Sequence, residues 1–434
     1  MFRCLARPFR FLTGLMVLGA LAVGSAGALS AQELELRIGY MKHDIHEANV
    51  AIMEKWAKAN GVKLIKIPMA YQIFNEKVTA TLTSGGDQFD IIWHNDDWGQ
   101  QWKKWVEPLD DVIGMDKVAI KPLDAFINDD GKFTAVPMVH TVGTFFYRKD
   151  LVSADEVPKT LDELVTVSKR LQAEGKVKWG YVGGMSMNNT WFSLWWSTWS
   201  NNCDIFLPIY ERRNSVLEEN GWSPAIAEPC HQEIVEYWWD AMNTHKISPK
   251  AMTSYGRNEA NAIFMAGDAA FTLVDSTHFG SFNDPKKSKI AGNVGMAYFP
   301  MGWRRTTPIA WNEIWGWAIP KGVPEDRKAL AKRMLGGMLT DIEGQIEQWE
   351  KTGGPPPNMD AWDAIAAKDP VFNELKRVVF DITPPMHAAY YFPNWPAVHK
   401  AYSDAVIKAL IGSREDIPAN LKAGIKPIHD AAVQ

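Results

Sequence analysis

The chain has 434 residues, 46% of them hydrophobic and 22% charged, enough apolar content for two domains of ordinary size around a buried core, which excludes a disordered tail or a small stapled scaffold. The formal charge is −5, and the first 31 residues hold Arg3, Arg7 and Arg10 but no acid. The rest therefore sets 43 basic residues against 51 acidic ones, a balance of −8 that excludes a basic nucleic-acid footprint and disfavours a polyphosphate clamp.

Residues 1–31 begin basic (MFRCLARPFR), run apolar from Phe11 to Val23 and end in small residues through Ala28 and Ala31. This order predicts a secretory leader cut after Ala28 or Ala31, and hence an exported, soluble protein. The run is shorter than a membrane span, and no second stretch of about 20 apolar residues follows. Cys4 leaves with the leader and has no lipid-attachment context. Cys203 and Cys230 remain, and in an oxidising compartment they form either one disulfide or two buried thiols; the sequence leaves both open.

Leu34–Met41 alternates like a strand. Ile45 to Asn60 has a helical period, with Asp44 and Glu47 in capping-box spacing and Gly61 as the stop. Val62–Pro68 alternates again, Ile73–Leu82 is helical, and Phe89–Trp93 is a short buried strand. Strands alternating with helices predict a parallel sheet, whose ligands gather at the carboxyl ends of its strands. That points to Met41–Asp44 and to His94–Trp98. Two further strands are predicted at Phe133–Val139 and Gly143–Tyr147, then a helix capped by Thr160 that buries Leu161, Leu164, Val165, Ser168 and Leu171. A long helical, aromatic stretch follows to about residue 270. Strands then return at Phe271–Asp275, Val294–Tyr298 and Trp315–Ile319, and from Glu325 onward the chain reads as helices. A sheet interrupted by a helical insertion and later resumed predicts two lobes joined by more than one crossing.

Twenty tryptophans stand out. Trp191, Trp195 and Trp199 recur at i, i+4 and i+8, which on a helix forms one stripe, read as a core seam. Trp93 and Trp98 instead flank His94, Asn95, Asp96 and Asp97, and Trp311, Trp315 and Trp317 interleave with Asn312 and Glu313. Aromatic faces beside short carboxylates and amides suit a polyol, whose C–H faces stack while its hydroxyls need paired donors and acceptors. They also suit an organic cation such as a polyamine or quaternary amine. Asp96, Asp97, Asp275 and Glu313 leave open a third reading, a carboxylate pair of a secreted carbohydrate-active hydrolase. Other catalytic motifs fail. His46-Glu47-Ala48-Asn49-Val50 has Val50 where a zinc helix needs its second histidine, Gly184–Asn188 breaks the nucleophile-elbow pattern at its last position, and no phosphate-cradling glycine loop occurs. No metal, no cofactor and no enzymatic activity are therefore expected.

Four segments in order, FDIIWHNDDWGQQWKKWVEPLDD, AVPMVHTVGTFFYRKDLV, NEANAIFMAGDAAFTLVD and EIWGWAIPKG with Thr352-Gly353-Gly354-Pro355 beyond it, make the chain resemble the extracellular solute-binding proteins of family 1, the sugar-binding receptors of bacterial ABC importers. The resemblance implies an α/β, two-lobe periplasmic binding protein fold of type II with a hinged cleft between the lobes. It implies a leader over 1–31, a first lobe of 32–140 plus 275–322, and a second of 141–274 plus 323–434. By position, Asn95 stands where the family commonly has a sugar-binding Asp, with Asp96 beside it. Thr141 and His140 lie in the crossing, Trp315 matches a stacking Trp, Asn312 and Glu313 precede it, Asn358 falls near a frequent Arg, and Asp275 falls where many members have a second Trp. The expected ligand contacts are His43, Asp44, Asn95, Asp96, Trp98, His140, Thr141, Trp191, Asp275, Ser276, Trp311, Asn312, Glu313, Trp315, Gly353 and Gly354. The expected partners are a small sugar or polyol and the permease subunits of an importer, with no nucleic acid, and the protein is expected to be a monomer.

Overall fold

The computed structural model describes residues 34–118, 123–187, 189–207, 223–309, 312–369, 372–373 and 392–434; the predicted leader and Trp311 lie outside them. β1 (Leu34–Met41), β2 (Val62–Met69) and β3 (Ile91–Asn95) run parallel, linked by α1 (Asp44–Ala59) and α2 (Tyr71–Ser84). Alternation along β1 buries Leu36, Ile38 and Tyr40 on the way to Met41. The helix cap is His43 rather than Asp44: the His43 ring accepts a hydrogen bond from the Ile45 amide at 3.3 Å. Asp44 is thereby left exposed in the first turn, 3.5 Å from Lys287.

β3 begins two residues later than its apolar run suggests. The buried carboxylate of Asp90 accepts from the Arg37 backbone at 2.8 Å and pairs with Arg37 and Arg327, so the ladder with β1 starts at Ile91. His94 and Asn95 are consequently strand residues, buried, and not part of a loop.

β4 (Val136–Arg148) is one 13-residue strand where two were expected. It stays in extended backbone through Pro137, the polar pair His140–Thr141 and Gly143, because each half finds a pairing partner. The first half of β4 pairs antiparallel with β10 (Asn312–Ala318), and its second half, from Gly143, pairs with β8 (Ala269–Asp275) and β9 (Val294–Ala297). The ladder with β10 shifts register between Trp315 and Gly316, next to Pro137, which has no amide to donate. β5 (Trp179–Val182) lies parallel to β8, giving the path β2-β1-β3-β10-β4-β8-β5. A short ribbon of β6 (Phe206–Leu207) and β7 (Ser223–Pro224) stands apart.

The strand Val294–Ala297, expected in the first lobe, pairs with the second half of β4. The helices Glu325–Thr340 and Ile342–Thr352, expected in the second lobe, pack on α1. Gly337 explains the close approach: a Cβ there would stand 2.1 Å from the Trp56 ring of α1, while Asn49 of α1 donates to Gln348 at 2.7 Å. The final helices, Trp395–Ile411 and Ile417–Ala432, pack on Pro229–Asn243, helped by a Tyr402–His231 hydrogen bond of 3.2 Å.

The tryptophan stripe does not form as drawn. Trp191–Trp195 is a π-helical turn followed by an α-helical one, Trp196–Ser200, so the 3.6-residue phase is broken. Trp195, Trp196 and Trp199 are nevertheless core residues, the Trp195 ring tilted against Trp395 at 4.8 Å and donating to the buried Asp204 at 2.6 Å. Cys203 and Cys230 are joined by a disulfide, with Cα atoms 5.7 Å apart. Among the described residues no helix is long and apolar enough to cross a membrane.

Candidate functional site

The ends of β1, β3 and β8 and the start of β10 meet on one side of the sheet, because β10 runs antiparallel to β3 and sets Trp315 opposite Asn95. There they border a cleft of about 570 Å³, which Ser186, Asn189, Phe192 and the first turn of the helix Arg257–Met265 also line. Of the expected contacts, His43, Asn95, Asp275, Glu313 and Trp315 line it. They are joined by Lys42, Tyr71, Trp93, Asn189, Arg257 and Glu259.

Asp275 is the most firmly set. Its carboxylate lies 3.1 Å from the Arg257 guanidinium and accepts from Thr277, with His278 at 3.8 Å. Burial alone would raise its pKa, but His278 and Arg257 outweigh that and hold it at about 2. Burial holds His278 itself down at about 3, so at neutral pH Arg257 is the countercharge. The Arg257 guanidinium also lies over the Phe192 ring at 5.6 Å, and its backbone amide donates to Asn189 at 3.2 Å. His43 is pushed down to about 4 by burial and then by the charge of Arg257.

Several expected contacts prove to be supports beneath the cleft. Asp96 is fully buried and accepts from the Asp97 amide at 3.0 Å and the Ile314 amide at 3.1 Å, tying the end of β3 to the start of β10. Thr141 is buried and donates to Glu313 at 3.1 Å. Trp98 is core, stacked on Phe74 at 5.8 Å and Tyr71 at 6.1 Å. His140 is buried edge-on to Trp362, its amide bonded to Pro355 O at 3.0 Å. Ser276 accepts from the Val142 amide at 3.3 Å. Gly354 is a packing glycine, since a Cβ there would lie 2.3 Å from Ile45 Cδ1, and Asn358 caps the helix Met359–Ala366 by accepting from the Asp360 amide. Gly353 ends its helix in the left-handed region at φ 71° and, with Asp44, borders a neighbouring recess of about 910 Å³ that shares Lys42, His43 and Asn258 with the cleft. The Trp191 and Asn312 side chains, like Trp311, lie outside the described atoms.

Arg257 had a signal the sequence reading passed over. It immediately precedes the NEANAIFMAGDAAFTLVD segment, after Gly256, where a helix entry turns the side chain toward the strand that ends at Asp275. Tyr71 and Lys42 carry no comparable pattern. Asp96→Ala is expected to lower unfolding stability by about 1–3 kcal/mol through two orphaned amides; urea unfolding measures it, and wild-type stability would show that the tie is idle. Among the described residues no group of three or more His, Cys, Asp or Glu is arranged to hold a metal ion.

Comparison with known proteins places this architecture. Residues 51–373 match the family described as bacterial extracellular solute-binding protein. A probable amino-acid ABC transporter periplasmic-binding protein of Sinorhizobium fredii is 19% identical over 334 residues, 73% of this chain and 70% of the relative. The mannitol-binding protein of Pseudomonas aeruginosa is 24% identical over 294 residues, and the match spans 63% of each chain. Among solved structures, maltose-bound MalE3 of T. maritima superposes with a TM-score of 0.77 at 22% identity, over 91% of this chain and 99% of that one, and shares its two-lobed α/β fold. With the family matched over most of its length, the chain belongs to the bacterial extracellular solute-binding proteins.

Proposed function

We propose that this protein captures a carbohydrate or polyol in the cleft, closes its lobes around it and delivers it to the permease subunits of an ABC importer, acting as a periplasmic monomer without its leader. The observation that carries this reading is the cleft of about 570 Å³ at the strand ends, where acceptors (Asn95, Asp275, Glu313), donors (Lys42, Asn189, Arg257) and indoles (Trp93, Trp315) face one space. Each hydroxyl of a polyol both donates and accepts, so a mixed lining satisfies it, whereas a ligand lacking those hydroxyls leaves buried groups unpaired. The mannitol-binding relative and the maltose-bound neighbour support the ligand class. The lobes divide within β4, near Val142–Gly143. The first holds β1–β3, β10 and the helices packed on α1; the second holds β5, β8, β9 and the C-terminal helices. Closure stabilises whichever arrangement the ligand binds better, and the cycle contains no bond chemistry.

The test is thermal shift of the purified protein against a panel of hexitols, pentitols, hexoses, disaccharides and polyamines, with product analysis of each mixture. A shift with a hydroxylated ligand and no turnover supports the receptor. Released product would make the protein a hydrolase, and a salt-sensitive shift with a polyamine alone would replace the ligand class. Trp315→Ala is expected to weaken the winning ligand by about 1–3 kcal/mol with the fold intact; unchanged affinity by calorimetry would remove Trp315 from the site.

A further inference from the structure

We propose that His46, which does not border the cleft, is the positioning residue for the two indoles that do, Trp315 and Trp93; this rests on the cleft being the ligand site. His46 lies in the first turn of α1, fully buried, and among the described residues neither of its ring nitrogens has a hydrogen-bond partner. An imidazole so placed forfeits its solvation on both sides, a cost that leucine at the same point would not carry. What the ring provides instead is flatness. It stacks on Trp315 with centroids 5.5 Å apart and planes 24° apart, and meets Trp93 at 4.8 Å and Trp317 at 6.2 Å, both nearly perpendicular.

One wall of this cage is fixed. Trp317 donates to Asn49 at 2.6 Å, and Asn49, one turn beyond His46 on α1, donates in turn to Gln348. Trp315 has no such tether among the described residues: its ring neighbours there are His46, stacked, with His43 and Trp93 edge-on at 6.1 and 5.8 Å. His46 therefore passes the fixed position of α1 and Trp317 to the indole that faces the site. The titratable group acting on it is His43, 6.1 Å away; its other ring neighbours among the described residues, Trp93, Trp315 and Trp317, carry no charge. Burial keeps the imidazole neutral, so the contact is one of shape and dispersion.

The test compares wild type, H46L and H46F by calorimetry with D-mannitol and maltose as probes, by thermal unfolding, and by near-ultraviolet circular dichroism, with the Trp315 signal taken as the difference between each protein and its W315F counterpart. The expected result for H46L is affinity about tenfold weaker, the scale of one aromatic contact, with an unchanged or higher unfolding temperature and a diminished Trp315 signal. H46F restores most of the affinity and the signal, because it restores a flat ring. Wild-type affinity and signal in H46L, or H46F no better than H46L, or affinity lost only in step with stability, would overturn the proposal. If neither probe binds the wild type, the ligand reading loses its support and the Trp315 signal alone decides the role of His46.

Discussion

Arg257→Ala is expected to destabilise the ligand-free protein by about 3 kcal/mol at pH 7 and to abolish measurable ligand binding. Asp275 is 1% exposed, and its carboxylate lies 3.1 Å from the guanidinium. His278 is neutral at that pH and offers no countercharge, so removing Arg257 leaves a buried anion held by the Thr277 hydroxyl. Breaking a buried pair from one side costs about 3–5 kcal/mol, and because a quarter of the Arg257 side chain is in contact with solvent the lower end applies. The pH dependence has a definite sign. In the wild type the folded carboxyl sits at about 2, below its unfolded value of about 3.9, and contributes stability above that value which is lost as pH falls. In the variant, burial without Arg257 raises the folded carboxyl, so acid relieves the defect. Urea unfolding at pH 7 and pH 5 should show the deficit shrinking, and Arg257→Ala combined with Asp275→Asn should recover part of it. Equal stability of wild type and variant at pH 7 would show that the pair is not a unit.

This pair also marks how far the sequence could be read. Leu34–Met41 and the helix Asp44–Ala59 are legible because their burial has a single period, and Thr160 is legible because a threonine three residues before a glutamate caps a helix by local geometry. Asp275, Asn95, Glu313 and Trp315 could be placed at one cleft because strand ends converge there whatever the register. Whether a polar residue faces the cleft or lies beneath it depends on register, and there the reading stopped. Asn95 and Asp96 are adjacent, yet the first borders the cleft while the second turns inward to two backbone amides. Which half of the sheet a helix covers is not legible for a related reason. Nothing local tells the helix Glu325–Thr340 which half of the sheet to cover; the close fit of Gly337 against Trp56, nearly 300 residues away in sequence, does.

Acid is expected to destabilise the protein below about pH 6. Burial lowers His94 and His278 to about 3, His43, His140, His231 and His399 to about 4, and His46 well below its ordinary value. Unfolded, each titrates near 6.5. Below that pH the unfolded chain takes up protons that the folded one refuses, so the stability these residues allow above pH 6.5 is lost as pH falls toward their folded values. Two carboxyls oppose the trend. Burial raises Asp97 well above its ordinary value, helped by Asp96 and Glu313, and raises Asp204 to about 7, so both hold a proton when folded that they release on unfolding. Seven histidines against two acids leave a net uptake of protons on unfolding, so stability falls as the pH drops below 6.5. Ligand held at 100 times its Kd adds about 2.7 kcal/mol, which moves the acid midpoint to lower pH. Urea midpoints measured from pH 8 to 4, with and without ligand, test both quantities. A midpoint that stays level from pH 7 to 5 would mean that these imidazoles find solvent or partners in the folded protein.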